Sequence, residues 1–105
     1  MLHELRHYMS PVGKGDAMMK VMADDILPIF DRLGFRVVDY WVQDDDPRHH
    51  WYTMEWPSAA AIKEGWERFR ADAEWLKVKA ASGSVFEKVE SFTLRRPPSL
   101  KSTKR

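Results

Sequence analysis

The chain has 105 residues, 44% hydrophobic and 31% charged, a balance that suits one compact domain and excludes a disordered tract or a membrane bundle. Its 17 basic and 16 acidic side chains leave a net charge of +1, which provides no basic face for nucleic acid. The absence of cysteine removes disulfide scaffolds, thiolate catalysis and cysteine-ligated metal or iron–sulfur centres. The first seven residues, Met1-Leu2-His3-Glu4-Leu5-Arg6-His7, hold no apolar core of signal-peptide length. No stretch is long enough to cross a bilayer, so a cytoplasmic protein without membrane insertion is expected.

Residues 2–9 read as a strand, with Leu5 and Tyr8 set among polar residues and no helical stripe. Pro11-Val12-Gly13-Lys14-Gly15 then makes a turn. Over residues 16–33, Met18, Val21, Met22, Ile26, Ile29 and Leu33 recur three or four apart and predict a helix. Asp16 or Gly13 is placed to cap its start, and Gly34 suits a left-handed cap at its end. Pro28 lacks the amide that would bond Asp24, so a bend is expected there.

Residues 35–43 form the second predicted strand, rich in Val37, Val38, Tyr40, Trp41 and Val42. Asp44-Asp45-Asp46-Pro47 turns the chain, and residues 49–56 return as a third strand. The aspartate run lacks the spacing and glycine of a calcium loop. Ser58 caps a second helix with Ile62, Trp66 and Phe69 on one face, and Asp72 caps a further helical segment carrying Trp75, Leu76 and Val78. Ser82-Gly83-Ser84 breaks it, and residues 85–94 form the last strand. Residues 1–98 thus make one domain, and residues 99–105 are expected to be a disordered basic tail.

Strand–helix–strand–strand–helix–strand is the split βαβ order of an α+β, ferredoxin-like domain. It predicts a four-stranded antiparallel sheet in the order 4-1-3-2 with both main helices on one face. The other face would be bare, yet its strands do not alternate cleanly between apolar and polar. Tyr40 and Trp41 point to opposite faces, as do Trp51 and the set Tyr52, Met54 and Trp56. Five Trp, five Phe and three Tyr also exceed what so small an interior readily hides. A second copy of the chain is the simplest cover, which predicts a homodimer with Trp41 or Trp51 at its interface.

Glu4, Arg6 and Tyr8 form a polar row on one face of the first strand. Facing the helices, that row would supply a guanidinium and a phenol to a pocket, with Glu55 and Trp66 as further candidates. The plainer alternative is a Glu–Arg network tying strands or subunits together. His3 and His7 share the opposite parity. With the first and third strands expected as parallel neighbours starting at the same end, His49 or His50 would come near His3 as a candidate imidazole cluster. Exposed or edge histidines are the simpler account, and no metal is expected. Neither a nucleophile–base arrangement nor a glycine-rich phosphate loop is visible.

Several of these pieces together resemble the NIPSNAP family of the dimeric α/β-barrel superfamily. They are Glu4-Leu5-Arg6 followed by Tyr8, the Pro11 and Gly13-Lys14 turn, Leu33-Gly34 entering a strand, and Glu55-Trp56 before a helix. Ala71-Asp72-Ala73-Glu74-Trp75 is similar to the family's Asp-Pro-Glu-Trp signature with Ala73 in place of proline, and Leu94-Arg95-Arg96-Pro97 resembles its final strand ending. The resemblance implies a ferredoxin-like protomer whose sheet pairs with a partner's to close a barrel. It carries over no catalytic set. Relatives in the superfamily that degrade haem hold a histidine on the helix before the last strand, and residues 73–83 here contain none, so no cofactor is expected. Two functions remain: binding of an apolar or aromatic small molecule between sheet and helices, with or without monooxygenase-like chemistry, and a non-enzymatic dimeric scaffold. The first needs an enclosed cavity of roughly a few hundred Å³ lined by the Glu4–Tyr8 row, whereas the second fills that space with Met22, Ile26, Trp66 and Phe69.

Overall fold

The structure, a computed structural model, describes residues 1–98. The tail expected at residues 99–105 lies outside the described residues. The elements run β1 (Leu2–Met9), α1 (Gly15–Val21), α2 (Leu27–Arg32), β2 (Arg36–Val42), β3 (His49–Trp56), α3 (Ala59–Ala71), α4 (Ala73–Ser82) and β4 (Lys88–Leu94). The sheet order is β2-β3-β1-β4 with every neighbouring pair antiparallel, which is the predicted split βαβ order. No helix among the described residues is long and apolar enough to cross a membrane.

The first and third strands are antiparallel, not parallel as the histidine argument supposed. β1 and β2 share a direction because a helical crossover joins them, and β3 is inserted between them in the opposite sense. The register therefore places Met9 opposite His49 and His3 opposite Glu55, at opposite ends of the strand pair. No imidazole cluster forms around His3. His49 meets His7 instead, with Nε2 of His7 2.8 Å from Nδ1 of His49.

Local chemistry accounts for the helix boundaries. Ser58 Oγ accepts from the amide of Ala61 at the start of α3, and Asp72 accepts from the amide of Trp75 at the start of α4. Neither Asp16 nor Gly13 caps α1: Lys14 occupies that position without a side-chain bond, while Asp16 sits in the first turn, where its charge suits the helix dipole. Gly34, at φ 81°, ends the last turn as predicted. Pro28 acts differently from a simple bend. Just before it, Met22–Ile26 widens so that the amide of Leu27 bonds the carbonyl of Met22, five residues back. This π-type turn lets Pro28 fall in the first turn of α2, where a missing N–H is tolerated. β4 begins at Lys88 rather than residue 85, because Gly83–Val85 forms a short 3₁₀ turn that buries Val85.

The core lies between the helices and one sheet face. Met18, Met22, Ile26, Ile29 and Phe30 from the first helical run pack with Tyr52, Met54 and Trp56 of β3 and with Trp66 and Phe69 of α3. Gly65 is a packing requirement: a Cβ there would lie 2.6 Å from the Trp56 ring.

His50 also faces this core and is 1% exposed, and its Nδ1 shares a hydrogen bond with the Tyr40 hydroxyl at 2.6 Å. Burial lowers its pKa below the ordinary 6.5. The unfolded chain thus binds a proton below about pH 6.5 that the folded chain resists. His50 contributes its full stabilisation above that pH and loses it as pH falls toward the depressed folded value. Urea midpoints should drop between pH 7 and pH 5, and H50Q should flatten that slope; an unchanged slope in H50Q would contradict the assignment.

Candidate functional site: a cleft between β1, β4, α3 and α4

β4 is an edge strand that the helices cover only in part, and a cleft of about 480 Å³ remains between it, β1 and the α3–α4 pair. Register sets its floor. Tyr8 lies opposite Val89, Arg6 opposite Ser91 and Glu4 opposite Thr93, and all six residues face the cleft. Ile62, Trp66 and Phe69 of α3, Trp75 of α4 and Phe86 form apolar walls. The break at Asp72 folds α4 back so that Trp75 stacks on Phe69, with ring centres 4.7 Å apart. Arg70 and Lys79 stand exposed at the rim, and among the described residues neither makes an ion pair. The cleft opens to solvent on one side and is not a sealed cavity.

The floor is a buried hydrogen-bonded network. Glu4 is 2% exposed; its Oε1 accepts from the indoles of Trp56 at 3.0 Å and Trp66 at 2.9 Å. Its Oε2 accepts from Arg6 at 2.8 Å and from the Ser91 hydroxyl. Both carboxylate oxygens are therefore saturated by protein donors. Each guanidinium nitrogen of Arg6 is also engaged. Nε donates to the Tyr52 hydroxyl at 3.1 Å, one terminal nitrogen to Glu4 and the other to the Tyr8 hydroxyl at 3.2 Å. The guanidinium lies 4.1 Å from the centre of the Trp66 ring, a cation–π contact. Burial opposes its charge, but Tyr8, Tyr52 and Glu4 outweigh that and hold its pKa above the ordinary value. Tyr8 and Tyr52 bond each other at 2.7 Å. Burial raises the Tyr52 phenol well above its usual pKa, so it keeps its proton.

The structure thus brings Glu4, Arg6, Tyr8 and Trp66 into one site. Glu55 is not among them. It lies on the opposite face of β3, where it pairs with Arg36 beside a separate depression of about 470 Å³. Two-residue parity already separates Glu55 from Tyr52, Met54 and Trp56, so the sequence contained that correction. Trp41 and Trp51 sit opposite each other on the bare face, where Trp51 stacks on His7 at 4.0 Å. Sequence reasoning missed Tyr52, Ser91, Trp75, Phe86, Arg70 and Lys79 as site residues. Arg70 lies eight residues after Ile62 on the same helix face, a signal that helical spacing could have supplied. Ser91 emerges only from the β1–β4 register.

Residues 3–99 match the NIPSNAP family. No curated protein matches the chain. Among solved structures, an uncharacterized NIPSNAP domain protein from Burkholderia xenovorans is similar at 23% identity and TM-score 0.83, covering 97% of this chain and 100% of that one. A NIPSNAP family protein of unknown function from Agrobacterium tumefaciens is 25% identical with TM-score 0.79, covering 95% and 94%. A putative antibiotic biosynthesis monooxygenase from Nitrosomonas europaea shares the fold at 11% identity and TM-score 0.67, covering 91% and 98%.

Proposed function

The chain belongs to the NIPSNAP family, and we propose that it binds an apolar or aromatic small molecule in the cleft between sheet and helices. The observation that carries this reading is the cleft itself, about 480 Å³ with aromatic walls and a polar floor. That volume falls in the range of small-molecule sites, and the mixture of apolar wall and few fixed polar groups is what such sites use. A pure scaffold would fill this space. Here Met22, Ile26, Trp66 and Phe69 are all buried and the cleft persists beside them.

A thermal-shift titration with 2-acetylnaphthalene tests the reading. At tenfold excess over its dissociation constant, a ligand confined to the folded state raises stability by about 1.4 kcal/mol, or several degrees in a domain of this size. Val89 lines the rim and is 51% exposed, so V89W should fill the cleft at little cost to the core. The expected result is a melting-temperature rise in the natural chain and none in V89W. An equal rise in both would place binding elsewhere and remove the cleft from the account.

The bare sheet face supports a second element of the proposal, a homodimer through that face. Trp41, Phe92 and Leu94 point to it with 51%, 47% and 47% exposure, beside Leu5, Met9 and Trp51. Exposed large apolar side chains gathered on one sheet face suit a surface that a partner covers. A cytoplasmic setting belongs to the same reading, supported by a sequence without cysteine.

A further inference from the structure

The floor of the cleft has a definite proton inventory. Tyr8 and Tyr52 each accept one hydrogen bond from Arg6, and they share one hydrogen bond between themselves. Two phenols bring two hydrogens, so one hydrogen is left over. Tyr52 is 0% exposed, and among the described residues its hydroxyl bonds only Arg6 and Tyr8. If Tyr8 donated to Tyr52, the surplus hydrogen would be sealed in the core without an acceptor, the costly arrangement. Tyr52 therefore donates to Tyr8, and the surplus hydrogen belongs to Tyr8, which lines the cleft. The Tyr8 oxygen then accepts from both Arg6 and Tyr52, and such chains strengthen the remaining O–H as a donor.

Charge restricts what that hydrogen meets. Glu4 pairs with Arg6 at 2.8 Å, so the floor is neutral as a unit, and the bonds to Glu4, Tyr8 and Tyr52 take one N–H from each guanidinium nitrogen. A buried anion there would find no uncompensated cation. The free cations, Arg70 and Lys79, stand at the rim.

We propose that the ligand carries an un-ionised acceptor oxygen, of the ketone, amide or ester carbonyl class, which takes its hydrogen bond from Tyr8 at the cleft floor, with any anionic group held at the Arg70–Lys79 rim. This rests on the cleft-binding reading and narrows it. Arg6 is a positioning residue: it orients both phenols, and its charge is offset by Glu4.

Two probes of matched shape separate the claims: 2-acetylnaphthalene, and 2-isopropenylnaphthalene, which has a methylene in place of the carbonyl oxygen. Affinities are read from NMR titrations of the natural chain and of Y8F. The natural chain should bind the acetyl probe roughly two- to tenfold more tightly, the worth of one neutral hydrogen bond. Y8F should bind both equally. The carbonyl carbon of ¹³C-labelled acetyl probe should move downfield in the natural chain's complex, and the absence of that movement overturns the assignment even where Y8F fails to fold. Equal affinities in the natural chain with no downfield movement would overturn the Tyr8 assignment and leave cleft binding standing. A preference that survives in Y8F would overturn it too. Binding of neither probe would overturn the cleft reading and this inference with it.

Discussion

E4Q should lower stability by about 3–5 kcal/mol, although it changes a single atom type at one buried position. Oε1 of Glu4 receives two indole N–H groups, and Oε2 receives Arg6 and Ser91. Whichever way a glutamine amide is turned, its NH₂ faces donors, and Arg6 remains as a buried charge without its counter-ion. A loss of this size is a large share of the 5–15 kcal/mol that holds a typical domain together. The melting temperature should fall by more than about 10 °C. E4Q/R6M removes the charge as well as its partner, so it should recover part of the loss, and R6M alone completes the cycle that measures the coupling. A melting temperature within a few degrees of the natural chain would mean that water reaches Glu4, and the floor would not be the closed network described.

The second large effect belongs to the other face of the sheet. In a single chain Trp41 is 51% exposed on the edge strand β2, so W41D costs a free protomer little. In the proposed dimer the same substitution buries a charge against an apolar partner face. Truncating an aromatic anchor at an interface costs about 2 kcal/mol or more, and an unpaired buried charge adds to that. Association should weaken by well over tenfold, so sedimentation at micromolar concentration should show a dimer for the natural chain and a monomer for W41D. A natural chain that sediments as a monomer would remove the dimer from the account.

Much of this architecture can be read from residue spacing. Ser58, Asp72 and Gly34 announce helix ends through local chemistry, and the strand order follows from the sequence of elements with a right-handed crossover. The polar row of β1 is likewise legible, because parity alone places Glu4, Arg6 and Tyr8 on one face. What escapes is whatever depends on register between distant segments. Ser91 meets Glu4 across 87 residues and Tyr52 meets Arg6 across 46, and no local pattern encodes either contact. The His3 argument failed for the same reason, since it rested on the relative direction of two strands. Arg6 carries two readings in the sequence. Of the two readings, a ligand-binding cation or a Glu–Arg network, its bonds to Glu4, Tyr8 and Tyr52 fit the network.

The chain's five tryptophans provide the most direct measurement of the central claim, because their positions divide between the two sheet faces. Trp66 and Trp75 line the cleft, Trp56 bonds the floor through Glu4, and Trp41 and Trp51 lie on the bare face. In a ¹H–¹⁵N spectrum each indole N–H gives its own signal. On addition of 2-acetylnaphthalene the signals of Trp66 and Trp75 should move progressively and saturate, while those of Trp41 and Trp51 stay in place. Movement confined to Trp41 and Trp51, or no saturable movement at all, would contradict a ligand site between sheet and helices.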